Sequence, residues 1–124
     1  MNILDVDGIS VFYGDTQAIW DISFSVTAGQ IVALLGANGA GKTTTLKTIC
    51  GLLPMSEGRI VFQNHIISGM PVHEIADLGI TLVPEGRQLF AKMSVEDNLL
   101  IGSYLKRTKA NRSKNLTRVY DLFP

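Results

Sequence analysis

"LLGANGAGKTTTLKTICG", residues 34–51, decides how the rest of this 124-residue chain is read. The run that leads into it, "IVALL" (31–35), is apolar at every position and opens with β-branched residues, the pattern of a central strand covered on both faces. From Lys42 to Ile49 good helix formers mix with threonines, and Gly51 stands where a helix commonly ends. Between strand and helix, Gly36, Gly41, Lys42 and Thr43 satisfy G-x-x-x-x-G-K-[ST]. The spacing follows from what a polyphosphate requires. Many donors must converge on a small anionic surface, and successive backbone N–H groups at a helix N-terminus supply them at no cost in side-chain entropy. Gly39 and Gly41 can take positive φ and carry no Cβ to collide with phosphate oxygens; Asn38 also tolerates the left-handed region. Lys42 is placed to reach the β and γ phosphates as a point charge, the Thr43 hydroxyl to ligate Mg²⁺, and Thr44 to donate on the α-phosphate side. Gly36, Ala37, Asn38, Gly39, Ala40, Gly41, Lys42, Thr43 and Thr44 thus read as a phosphate cradle. The cradle alone names no reaction, because kinases, GTPases, helicases and transport ATPases share it.

Outward from the loop, "ILDVDGISVFY" (3–13) alternates as a strand or a bent pair kinked at Gly8. "DISFSV" (21–26) alternates more cleanly, with Ile22, Phe24 and Val26 on one face, so the N-terminal part predicts an antiparallel, half-buried sheet. Past the helix, "GLLPMSEG" (51–58) is a loop, "RIVFQN" (59–64) a short strand, and "PVHEIADL" (71–78) a helix with Pro71 at its first position. "GITLVPEG" (79–86) reads as a second buried strand, ended by Pro84 and Gly86. Ser94 and Asp97 form a capping box that opens "SVEDNLLIGSYL" (94–105), a helix with Val95, Leu99 and Leu100 on one face. The basic segment and "LTRVYDLFP" (116–124) close the chain as loop and helix.

Apolar residues make up 46% and charged residues 18%, the balance of a chain that folds rather than one that stays disordered. Eleven basic and eleven acidic side chains cancel, which argues against a domain built for a nucleic-acid backbone. Their distribution is uneven. Every charge before Lys42 is acidic, whereas Lys106, Arg107, Lys109, Arg112, Lys114 and Arg118 crowd the end with only Asp121 against them. A solvated helix face or loop explains such a run, and so does contact with anionic lipid or an acidic partner. Cys50 is alone, so there is no disulfide framework; it reads as a small buried hydrophobe in a reducing compartment. His65 and His73 have no Cys, Asp or His at metal-ligand spacing and are expected on the surface. No apolar run approaches the ~18 residues that span a bilayer, and "MNILDVDG" is acidic where a secretory signal would be basic.

The flanks of the loop carry a resemblance. "ISVFYGDTQAIWDISFSVTAGQIVALLGANGAGKTTTLKTICGLLPMSEGRIVFQN" (9–64) closely resembles the start of an ATP-binding cassette (ABC) protein. In that family an aromatic residue about two dozen positions before the loop stacks on adenine, and Tyr13 matches it, with Phe12 expected to point the other way, into the core. "LVPEGRQLFAKMSVEDNLLIG" (82–102) looks like the ATPases of branched-chain amino-acid importers, and with "VYDLFP" (119–124) the likeness runs nearly the whole chain. Most cassettes follow the strand's proline with a glutamine that touches Mg²⁺ and the attacking water. Here Glu85 follows Pro84, so the resemblance implies Glu85 beside Lys42 as a catalytic residue and beside Thr43 as a metal ligand. A carboxylate is the stronger Mg²⁺ ligand, yet it repels the γ-phosphate and cannot donate to water.

What the resemblance implies is an α/β fold, a P-loop NTPase core of ABC type with an N-terminal antiparallel β-subdomain. Residues 1–90 would form the first part of the nucleotide-binding core and 91–124 the start of a helical subdomain. It implies ATP and Mg²⁺ as ligands, a second ABC ATPase subunit and membrane permease subunits as partners, no nucleic acid, and a peripheral place on the cytoplasmic face of the cell membrane. It implies import of branched-chain amino acids, the alternatives being another transported substrate or a noncatalytic nucleotide-binding fragment. ABC ATPases complete their site with a signature "LSGGQ"-like loop, a strand ending in aspartate and glutamate, and a switch histidine, none of which this sequence contains. The chain is therefore expected to be the N-terminal portion of a longer ATPase, binding nucleotide without turning it over.

Overall fold

The computed structural model describes every residue except Asn38. It divides into two units, Met1–Leu82 and Val83–Pro124. In the first, β1 (Asn2–Tyr13), β2 (Thr16–Thr27), β3 (Glu57–Phe62) and β4 (His65–Ile66) form one antiparallel sheet in the order β2-β1-β3-β4. The predicted bend at Gly8 is a bulge, with φ +59° and a register shift between Val6 and Ile9. The extra residue resets the alternation, so that Val6, Ile9 and Val11 all face inward. β3 crosses β1 at the same place, and a Cβ on Gly58 would lie 2.5 Å from the Gly8 carbonyl oxygen. Only glycine permits that approach.

The strand predicted over 59–64 stops at Phe62, because Gln63 and Asn64 both take positive φ (46° and 66°) and turn the chain directly into β4. Two left-handed residues make the tight hairpin turn whose twist matches paired strands. The sheet buries Val6, Ile9, Val11, Ile19, Ile60 and Phe62 together with Ile49, Ile67 and Ile75. Ile49 comes from α1 (Lys42–Ile49) and Ile75 from α2 (Val72–Leu78). α1 ends as its glycine requires: Gly51, at φ +80°, lets its own N–H reach the Thr48 carbonyl while the Leu52 N–H reaches that of Lys47. Pro71 sits one position before α2, as its N-cap.

The second unit is helical, with α3 (Val95–Ile101), α4 (Lys106–Lys109) and α5 (Arg112–Leu122). Ser94 caps α3, its Oγ accepting from the Asp97 N–H at 3.1 Å.

Several expectations are corrected. Residues 31–35 and 79–86 are not strands. A fully apolar strand is held by ladders on both edges, and the sheet is completed by β1 to β4 alone, with neither segment paired into it. Ile31 and Leu35 are 97% and 91% exposed in consequence, and Val83 is 88% exposed. Phe12 does not enter the core but is exposed beside Tyr13, because β1's register shifts again between Val11 and Phe12. α3 stops at Ile101 rather than running to Leu105, and Val95 is exposed, which leaves Leu99 and Leu100 as its partly buried face.

Candidate functional site

The loop before α1 is shaped by its glycines. Gly39 and Gly41 stand at φ +85° and +93°, a region that costs an L-residue about 1–2 kcal/mol. Gly41 is the N-cap of α1, and a Cβ there would come within 3.3 Å of both the Ala18 carbonyl oxygen and Ile19 Cγ1. β2 therefore seats the helix start. Gly39 is different, with open space where its Cβ would be. Ala40 N–H closes the turn on the Ala37 carbonyl at 3.0 Å, and Thr45 N–H returns to Gly41 at 2.8 Å. No acceptor among the described residues takes the backbone N–H of Gly39, Gly41, Lys42, Thr43 or Thr44. The amides from Gly41 to Thr44 are what the first turn of a helix leaves unpaired, and no acidic side chain in that turn offsets the positive end of the helix dipole.

Lys42 Nζ donates to the Gly36 carbonyl at 2.5 Å, folded across the mouth of the loop. That contact joins the ends of the motif. The Thr43 side chain is exposed, while Thr44, Thr45 and Thr48 are buried. Thr45 and Thr48 hydroxyls donate back to Gly41 and Thr44 carbonyls at 2.8 and 2.7 Å, so their polar atoms are satisfied inside the helix. The Thr44 hydroxyl lies 3.1 Å from the Tyr13 hydroxyl. Sequence reasoning missed this contact, since nothing local links residues 31 positions apart. It pins Tyr13, half exposed at 49%, to the first turn of α1 with its ring open to solvent. Of the residues singled out in the sequence, Tyr13, Gly36, Ala37, Gly39, Ala40, Gly41, Lys42, Thr43 and Thr44 gather at this one end of α1, and Asn38 lies outside the described residues. Glu85 belongs to the second unit, on an exposed turn followed by Gly86, Arg87 and Gln88 at φ +76°, +66° and +42°. Such a run of left-handed residues is strained.

The residues at α1 fit a polyphosphate. Five amides with no acceptor among the described residues, one lysine and an open glycine face make a donor-rich surface. The adjoining cleft of about 250 Å³ is apolar on one wall, with Ile19, Trp20, Ile22, Leu34 and Leu35, and carries the loop itself on the other, with Gly39, Gly41 and Lys42. Cys50, at the far end of α1, has its thiol pushed up in pKa by burial and stays protonated at neutral pH. His65 and His73 are exposed, and no group of three His, Cys, Asp or Glu among the described residues could hold a metal.

The family model for ABC transporters matches residues 19–123. The chain belongs to the ABC transporter ATPases. Among the curated relatives of this ABC ATPase, BraG of Pseudomonas aeruginosa, a high-affinity branched-chain amino acid transport ATP-binding protein, is 39% identical over 98% of this chain and 52% of its own length. The lipopolysaccharide export ATP-binding protein LptB of Haemophilus influenzae is 37% identical over 81% of this chain and 42% of its own length. Among solved structures, the ATP-binding cassette MJ1267 superposes with a TM-score of 0.76 at 35% identity, over 82% of this chain and 40% of that one. The sheet and helices are thus those of an ABC ATPase, and the chain spans about half the length of the curated relatives it matches.

Proposed function

We propose that this chain is the ATP-binding part of an ABC transporter ATPase subunit that powers import of branched-chain amino acids. The observation that carries the reading is the convergence of the Lys42 ammonium with the backbone amides of Gly39, Gly41, Lys42, Thr43 and Thr44, which no described residue accepts, at the start of α1, with Tyr13 fixed alongside by Thr44. Lys42 leaves the Gly36 carbonyl for the β and γ phosphates, an exchange of a neutral acceptor for an anionic one. The amides bind and orient the triphosphate, and the Tyr13 ring stacks on the base. The Thr43 hydroxyl and the Glu85 carboxylate are the groups assigned to Mg²⁺, which when bound would neutralise charge between phosphates. Lys42 and Glu85 are the assigned catalytic residues. A second ATPase subunit and membrane permeases are the proposed partners, and the inner face of the membrane the proposed place.

Branched-chain amino acids are favoured over other cargo by the match to BraG, 39% identical over 98% of the chain, against 37% over 81% for LptB and 37% over 94% for the galactofuranose transporter ATP-binding protein YtfR of Escherichia coli O157:H7. Calorimetric titration with Mg-ATP tests the nucleotide assignment. Binding is expected for the chain as it stands and a loss of roughly ten- to a hundredfold in affinity for Lys42→Ala, since a charge-assisted contact worth about 1.5–3 kcal/mol goes. Unchanged affinity in that variant would remove the basis of the proposal.

A further inference from the structure

Six of the eleven basic side chains lie between Lys106 and Arg118. Successive cations in that run are one to four residues apart, about 6 Å or less at helical rise and so within a Debye length at physiological salt, and neighbouring fields overlap. Lys106 and Lys109 are exposed on α4, and Lys114 and Arg118 on α5. These four have no ion-pair partner among the described residues. Lys114 and Arg118 stand one turn apart, a like-charge spacing that costs a helix a few tenths of a kcal/mol. Asp121 is the one acid nearby in sequence, and it pairs with neither.

The faces of α5 are segregated. Leu116 and Val119 line a cavity of about 260 Å³ with Leu99 and Leu100 of α3, where Arg112 is held by donating to the Ser103 carbonyl at 2.7 Å. At 100° per residue, Lys114 and Arg118 fall on the opposite side. Tyr104, Tyr120, Leu122 and Phe123, four large side chains that a purely solvated surface would not need, are exposed around the basic run. Cations with aromatic residues at their margin are the composition of a surface that meets lipid headgroups.

We propose that the exposed basic surface of α4 and α5 binds anionic phospholipid headgroups directly, apart from any contact with a protein partner. The observations favour lipid over an acidic protein because the four exposed cations are dispersed along two helices and none of them lines the cavity beside α5, which suits a continuous, laterally mobile anionic surface.

Cosedimentation of the full chain with vesicles decides this. Vesicles of phosphatidylcholine with one third phosphatidylglycerol are expected to carry the chain down at 50 mM salt and release it at 500 mM, while pure phosphatidylcholine vesicles leave it in solution. Each cation near such a surface is worth roughly a factor of five, so K109Q/K114Q/R118Q lowers the partition coefficient by roughly a hundredfold, and Lys92→Gln, outside the patch, leaves it unchanged. Circular dichroism of the triple variant checks that its helices persist. Equal partition into both vesicle types, or a folded triple variant that partitions like the parent, overturns the proposal. So does absence from both vesicle types with retention on polyglutamate, which would assign the surface to an acidic protein. Vesicle binding is measured without nucleotide, so its failure is separate from a failure of the ATP assignment.

Discussion

Tyr13 joins two roles that can be separated by substitution. Its hydroxyl holds Thr44 and its ring is open for a base. Tyr13→Phe removes only the hydrogen bond, an expected loss of about 0.5–1.5 kcal/mol in thermal or denaturant stability, with ATP affinity kept. Tyr13→Ala removes the ring as well and should weaken ATP by about 1–3 kcal/mol while leaving inorganic triphosphate unaffected. Equal weakening of both ligands would show that the ring does no stacking. The cradle residues were legible because the motif is local: backbone donors at a helix start need glycine, lysine and threonine at fixed offsets, and Gly39 and Gly41 adopt the left-handed φ that this predicts. The Tyr13–Thr44 bond was not legible, since it depends on how β1 lies against α1.

Among the elements, α1 and its Gly51 end, the bend in β1 and the capped start of α3 were all readable, each being fixed by residues within a turn or two. The segments at 31–35 and 79–86 were not, because composition reports only that a strand would be buried, whereas pairing is decided by chain far away in sequence. Gly58 shows how close the elements that do pair have come. Adding a methyl group there drives Cβ into the Gly8 carbonyl and forces an L-residue to φ +97°. Gly58→Ala is expected to cost more than about 2 kcal/mol. In a chain of this size that lowers the melting midpoint by roughly 10 °C, and a midpoint within a degree or two of the parent would mean that β3 does not cross the bulge as described.

For the whole molecule, exposed apolar surface sets the behaviour in solution. Ile31, Leu35, Val83 and Trp20 are large, apolar and largely exposed in a chain of 124 residues. Surface of that kind drives association. The chain is expected to bind a hydrophobic dye and to self-associate as concentration rises through the micromolar range, read by sedimentation velocity; a strictly monomeric, dye-negative chain would contradict the exposures. Nucleotide binding is the function on which the rest turns, and backbone amide NMR tests it most directly. On addition of Mg-ATP the resonances of Gly39, Gly41, Lys42, Thr43 and Thr44 should move together and far more than those of β3 and β4, as unpaired N–H groups acquire phosphate acceptors. Shifts confined to other parts of the chain, or none at saturating nucleotide, would contradict the account.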